Sequence, residues 1–374
     1  MSATAHPTPR GGLPVLGPLS RPARIAVLVT LGVSVAGIIM RFALGGDPTR
    51  LFVVSAAGIL GLAWVVGLST ERLGALTGPR VGGILNATFG NIAELIIAFF
   101  ALQAGLLEVV KASLTGSIIG NLLLVLGASV LVGGLRNGTQ RFSQQIAGAN
   151  AALLVVAAIG LFVPAVFAFS SSDRSEGTIL EESVIVAILL MVGYVLSLIF
   201  QFTNPDETLG AHEASEGHGG PAWSGRTAVV VLLTAAGLLA VLSEVLVGSI
   251  EPFIERFHLS EFFVGVILIP TIGNLAEHLV AVQLAFKNKM EFAMAVCYGS
   301  SLQVALFVAP LLVLLGLVVG QPMNLVFQPL EVAAVGAAVG ISALIALDGE
   351  SNWLEGALLV IVYVILGVSF FELV

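Results

Sequence analysis

Residues 88–98 read TFGNIAELIIA, and residues 271–281 read TIGNLAEHLVA. One copy slides onto the other at a constant offset of 183 residues. Without a gap, that offset also superimposes Val81 on Val264, Gly82 on Gly265, Glu108 on Glu291, Gly116 on Gly299 and Ser117 on Ser300. The chain therefore contains an internal repeat. Each copy of Gly-Asn-x-Ala-Glu lies inside a run that is otherwise apolar, so two carboxylates and two amides are being carried into oil.

Of the 374 residues, 57% are hydrophobic and only 10% are charged, too little polar surface to wrap a soluble globule of this length. A spanning helix needs roughly 20 largely apolar residues, and the charged, Pro-rich and Gly-rich interruptions leave about eleven such segments. They fall at 25–41, 51–70, 82–103, 112–134, 145–168, 179–202, 227–248, 262–286, 290–319, 327–347 and 353–373. The expected fold is an all-α polytopic membrane protein. Residues 1–24 read as a disordered tail and 25–45 as an extra, uncleaved first helix. Residues 46–203 form a first group of five helices, 204–224 an acidic linker, and 225–374 a second group of five.

The repeat copies occupy the third and fourth spans and then the eighth and ninth, five spans later, so equivalent helices are expected to cross the bilayer in opposite senses. Inverted repeats of this kind build many secondary transporters, with the substrate site at the repeat interface near the midplane. About ten basic residues fall on the N-terminal side of the loops, against about five on the other, which predicts a cytoplasmic N-terminus, cytoplasmic linker and external C-terminus. The first set includes Arg72, Arg136, Arg141, Arg226, Lys287 and Lys289, and the second is Arg41, Arg50, Lys111, Arg174 and Arg256.

Gly90 and Asn91 come early in the third span, and Gly273 and Asn274, after Pro270, early in the eighth. Gly and Pro weaken a helix, and Asn followed three residues later by Glu has capping-box spacing. Each span is therefore expected to break into two half-helices, freeing carbonyls near Thr88 and Phe89 and near Thr271 and Ile272. Glu94 and Glu277 follow one turn later. A carboxylate at that depth is costly unless functional, and two facing one another need protons or a cation between them. Competition between protons and a divalent ion for one such pair is the chemistry of exchange. Hard oxygen donors favour Ca²⁺-like ions, with the amides of Asn91 and Asn274 and the freed carbonyls helping to complete the shell. Ser117, Asn121, Ser300, Ser301 and Gln303 are polar within apolar runs and are candidates for gating or for hydrogen bonding the Glu pair. The plainer alternative is that the Asn and Glu residues only cap kinked helices. His278 adjoins Glu277 but projects about 100° away on a helix, as a packing residue.

The matches NATFGNIAELI (86–96), GSIIGNLLLVLG (116–127), GNLAEHLVA (273–281), YGSSLQVALFVAP (298–310) and LDGESNWLEG (347–356) make the sequence resemble the cation/proton exchanger family of the calcium/cation antiporter superfamily. The resemblance implies one extra N-terminal helix followed by two inverted five-helix repeats joined by an acidic cytoplasmic segment. It also implies that Glu94 and Glu277 bind the cation and couple it to protons. Ile92 and Leu275 stand where that family commonly has Ala, a change that leaves the ligands intact.

The expectation is thus a Ca²⁺/H⁺ antiporter with Ca²⁺ and protons as transported ions, the lipid bilayer as its surroundings and no cofactor. Exchange of Na⁺ or K⁺ for Ca²⁺, or a passive cation channel, are the alternatives. The net charge of −8, with basic residues scattered singly, excludes a nucleic-acid partner. HEASEGH (212–218) lacks the HExxH spacing, and no nucleophile with a base is evident, so no enzyme is expected. Cys297 is the single cysteine and reads as packing. The short linker and the Ala-, Gly- and Val-rich composition point to a prokaryotic cell membrane.

Overall fold

The computed structural model describes residues 19–78, 82, 85, 88–170, 175–203 and 223–372. Residues 1–18 of the expected tail and nearly all of the acidic linker lie outside these residues, while residues 21–24, expected in the tail, already belong to the first helix, which Ser20 caps. Twelve helices occur among the described residues: α1 Arg21–Phe42, α2 Pro48–Thr77, α3 Ile92–Gln103, α4 Leu107–Asn137, α5 Gln144–Phe169 and α6 Glu176–Thr203 in the first half. The second half holds α7 Gly225–Val247, α8 Ile250–Phe257, α9 Glu261–Phe286, α10 Met290–Val319, α11 Pro329–Asp348 and α12 Trp353–Glu372. Ten of them are long and apolar enough to cross a membrane. The eleventh expected span, 82–103, is represented by the twelve-residue α3, preceded by residues that are only partly described. Among the described residues the only strands are a short pair, β1 Gln140–Arg141 antiparallel to β2 Glu350–Ser351.

Local chemistry sets several helix starts. Ser20, Asp47, Ser143 and Ser224 each place a side-chain oxygen on a backbone N–H of the first turn, and Pro22 and Pro48 stand where no N–H is needed. Ile25, Leu28 and Val29 on α1, and Ile361, Val364 and Ile365 on α12, are large apolar side chains left exposed. A continuous exposed apolar belt of this kind is a surface for lipid. The most enclosed helix is α4, 72% of whose apolar window is buried against 17% for α12.

Loop contacts sort the helix ends into two groups. At one end, A, Gln140 Nε2 donates to Ala285 O at 2.9 Å, Asn137 Nδ2 to Ala285 O at 3.2 Å, and β1 pairs with β2. At the opposite end, B, Arg256 Nη1 donates to Asp47 Oδ2 at 2.9 Å, the Phe52 and Phe253 rings stack, and the Gly105 turn lies beside Gln321. Thus α3 finishes at end B, while its sequence equivalent, the last part of α9, finishes at end A. The equivalent helices α4 and α10 are likewise opposed.

The repeat extends to backbone detail that side chains do not announce. Each of α4 and α10 contains a π-helical turn, at Gly120–Val125 and Val304–Val308, in register at the same offset. A third π turn, Val264–Leu268, lies in α9 just before Pro270. Such turns widen the helix by one residue and often mark functional sites.

Candidate functional site

The two half-helix breaks expected from sequence are not alike. In the first copy the helix at Thr88 and Phe89 gives way to a turn at Gly90 and Asn91, and α3 restarts at Ile92. In the second copy the helix runs unbroken through Thr271, Ile272, Gly273 and Asn274. The irregularity there has moved upstream into the π turn, because Pro270 sits where the α-helix restarts and has no N–H to lose. The expected freed carbonyls at Thr271 and Ile272 are therefore not free, and the Thr271 hydroxyl bonds back to Ile267 O at 2.6 Å. Nor does Asn91 cap α3 with its side chain, although it occupies the N-cap position. Its amide is committed across the repeat interface instead.

That commitment defines the site. Asn91 Nδ2 donates to Gln303 Oε1 at 2.6 Å, Ser300 Oγ donates to Asn91 Oδ1 at 3.1 Å, and Asn121 Nδ2 donates to Ser300 Oγ at 3.0 Å. On the other side, Ser117 Oγ donates to Glu94 Oε1 in a short hydrogen bond, while Asn274 Nδ2 reaches Ser117 Oγ at 3.2 Å and Glu94 Oε2 at 3.5 Å. Residues from α3, α4, α9 and α10 thus meet in one polar cluster inside the apolar core. Glu94, Asn91, Asn274, Ser117, Asn121 and Ser300 are all buried. At Gly273 α9 passes over the carboxylate-bearing turn: a Cβ there would stand 3.5 Å from Glu94 Cα, in ordinary van der Waals contact.

Glu277 completes the pair. Ser300 is its hydrogen-bonding partner, and its Oε2 is buried with no partner at all. The charged group acting on Glu94 is Glu277, and no Lys or Arg acts on either carboxyl among the described residues. Two carboxyls near enough to act on one another without a countercharge need protons or a cation to balance them. Among the described residues no three His, Cys, Asp or Glu side chains gather. A cation here would take the two carboxyls and complete its shell with neutral amide, hydroxyl or carbonyl oxygens.

Ser301 does not join, since its hydroxyl bonds back to Cys297 O at 2.9 Å. Neighbouring helical residues point about 100° apart, so Ser300 and Ser301 cannot both face the site. Two features were not read from the sequence. One is the set of π turns. The other is a break in the symmetry of the cluster, because Gln303 replaces Gly120 at the equivalent position and Asn121 replaces Val304. Helical spacing carried a signal for the second: Asn121 follows Ser117 by four and Gln303 follows Ser300 by three, one face each.

Comparison with known proteins matches the family described as "Sodium/calcium exchanger protein" over residues 48–203 and again over 227–371. The chain is 42% identical over 338 residues to a Ca²⁺/H⁺ antiporter of Aphanothece halophytica, covering 87% of this chain and 91% of that one. It is 42% identical over 356 residues to the Ca²⁺/H⁺ antiporter ChaA of Bacillus subtilis, covering 93% and 98%. Among solved structures it resembles native YfkE, with a TM-score of 0.80 at 39% identity over 94% of this chain and 100% of that one. With both halves matched and relatives covered almost end to end, the chain belongs to the sodium/calcium exchanger family, among its Ca²⁺/H⁺ antiporters.

Proposed function

We propose that this protein is a secondary active antiporter that exports Ca²⁺ in exchange for protons, working by alternating access around Glu94 and Glu277. The observation that carries the reading is a pair of carboxyls close enough for one to act on the other, Glu94 buried and Glu277 half-buried with its Oε2 enclosed and unpartnered, with no basic side chain acting on either among the described residues. Ca²⁺ takes six to eight oxygens at about 2.3–2.6 Å. The two carboxylates offer up to four, and Asn91, Asn274, Ser117 and Ser300 surround them with neutral oxygens. Gln303 and Asn121 hold these neutral groups in place. Protons and Ca²⁺ neutralise the same charge, so occupancy by one excludes the other, and a gradient of either drives the other uphill.

The relatives' antiport activity and the opposed helix pairs support this reading over a passive channel, which has no need of two inverted copies. The excess of basic residues at the loops of end A supports a cytoplasmic placement of that end, with the N-terminus on the same side and the C-terminus external. The composition supports a prokaryotic cell membrane as its location.

The test is reconstitution into proteoliposomes with an imposed pH gradient, following Ca²⁺ uptake and internal pH together. Native protein should move both ions in a coupled way, and Glu94→Gln and Glu277→Gln should each abolish exchange. Substantial exchange retained by both single variants would refute the site. Ca²⁺ movement that ignores the pH gradient but follows Na⁺ or K⁺ would replace the proton as counter-ion.

A further inference from the structure

Away from the cation site, α4 carries a second set of ionisable groups. Glu108, Lys111 and Thr115, at i, i+3 and i+7, share one stripe of the helix, roughly opposite Ser117. Lys111 is buried, its side chain only 9% exposed, and its Nζ lies 3.2 Å from Glu108 Oε1 at the rim of end B. The stripe faces the start of α11, where Glu331 is fully buried. Glu331 Oε2 accepts from Gln328 N at 2.7 Å, but its Oε1 is buried without a hydrogen-bond partner. The titratable groups acting on Glu331 are Glu108 and Lys111, and Thr115 is the polar side chain beside it.

The repeat supplies an internal comparison. At end A the equivalent stripe on α10 is Glu291, Met294 and Tyr298, and the third residue of the helix that follows, where α11 carries Glu331, is Ile146 in α5. There Met294 and Tyr298 line a small gap of about 10 Å³ with Phe142, Ile146 and Ala147, and the Tyr298 hydroxyl donates to Ser342 O at 2.7 Å. A requirement of packing alone would apply at both ends. The buried Lys and Glu occur at one end only, and buried ionisable groups at membrane depth are expensive to keep.

We propose that Glu331, with Lys111, is a second protonation site at end B that positions α4 according to the protons on that side. This rests on the antiport reading above, in which protons enter from end B. With Glu331 ionised, Lys111 is held between α4 and α11 and ties the two halves together. When Glu331 takes a proton, Lys111 is left to Glu108 at the rim and the tie loosens. Glu331 is a positioning residue: it acts on α4 through Thr115 and the charge of Lys111, not on the transported ion.

Two measurements test this on purified, reconstituted protein. The first is the infrared C=O stretch of protonated carboxyls followed against pH. Part of that signal should vanish in Glu331→Gln and titrate at a different pH in Lys111→Met, whereas Lys111→Arg should leave it in place. The second is exchange rate against pH on the end-B side alone. Lys111→Met should move the half-maximal pH upward, Glu331→Gln should remove one titration from the profile, and the double variant should behave as Glu331→Gln does. The pH and Ca²⁺ dependence at end A should stay native in all of them. An infrared titration unchanged in Glu331→Gln, or rates lowered equally at every pH, would overturn the proposal. If native protein exchanged no Ca²⁺ for protons, the functional reading would fail while the infrared titration still judged the protonation site.

Discussion

Gly116 stands one residue before Ser117, where α4 crosses the π turn of α9. A Cβ at this position would lie on the carbonyl oxygen of Val266, with the carbonyl carbon 2.6 Å and the Cα 2.7 Å away. Real Cβ contacts essentially never fall below 3.0 Å, and the obstructing atoms are all backbone, so no rotamer relieves the clash. Pro270 adds to the constraint, since it brings no N–H to that carbonyl four residues back and the oxygen is left facing α4. Gly116→Ala must therefore push the two helices apart by about 1 Å. The Asn274 Nδ2 to Ser117 Oγ bond, 3.2 Å long, would then pass out of hydrogen-bonding range, and Glu94 would lose its alignment with it. Overpacking of this kind costs about 1–3 kcal/mol. By analogy with reacting centres, a misplacement of about 1 Å lowers rate on the order of 10²-fold. The assay is Ca²⁺/H⁺ exchange in proteoliposomes beside thermal unfolding of the detergent-solubilised protein, with Gly340→Ala, whose Cβ meets nothing within 4 Å, as the control. Native exchange and native unfolding temperature in Gly116→Ala would show that the helices do not approach as described.

Gln303→Leu removes the acceptor for Asn91 Nδ2 in a buried cluster, so about 1–3 kcal/mol of stability should be lost. A calcium titration of the exchange rate should show weakened apparent Ca²⁺ affinity as Asn91 turns. Asp47 at end B is at the surface, and the Arg50 backbone N–H, followed by the Arg256 guanidinium, holds its carboxyl below the ordinary range. A depressed carboxyl contributes its stabilisation above its unfolded-state value and loses it as pH falls through the folded one. The Asp47–Arg256 contact should thus persist at neutral pH and open only in acid. Hydrogen exchange of the first turn of α2 measures this, and Asp47→Asn should remove the pH dependence.

The fold was legible because apolar run length and an ungapped repeat are both written in one dimension. The pairing of Glu94 with Ser117, and the gathering of Asn91, Asn274, Ser300, Gln303 and Asn121, followed from placing two copies face to face. What could not be read depended on which hydrogen bonds a backbone chooses. A π turn needs only a one-residue change of register, and Gly120 or Pro270 permits it without specifying it. Asn91 has a good capping sequence, but its side chain is spent on Gln303 and Ser300, a competition decided by tertiary contacts 209 to 212 residues away. The company of Glu331 was hidden for the same reason. It lies in the first turn of α11 and bonds the Gln328 N–H, yet the charge of Lys111 is brought to act on it only by the packing of α11 on α4.

The unequal halves have a thermodynamic meaning. If both repeats were identical in sequence, the state open to one end would be the mirror of the state open to the other, and the two would have equal free energy. Gln303 opposite Gly120, and Asn121 opposite Val304, remove that degeneracy at the centre of the molecule. A bias of about 1.4 kcal/mol already makes a tenfold difference in population. On the antiport reading, an exchanger built this way has a preferred resting direction before any gradient is applied, and its apparent affinities for the same ion differ at its two faces.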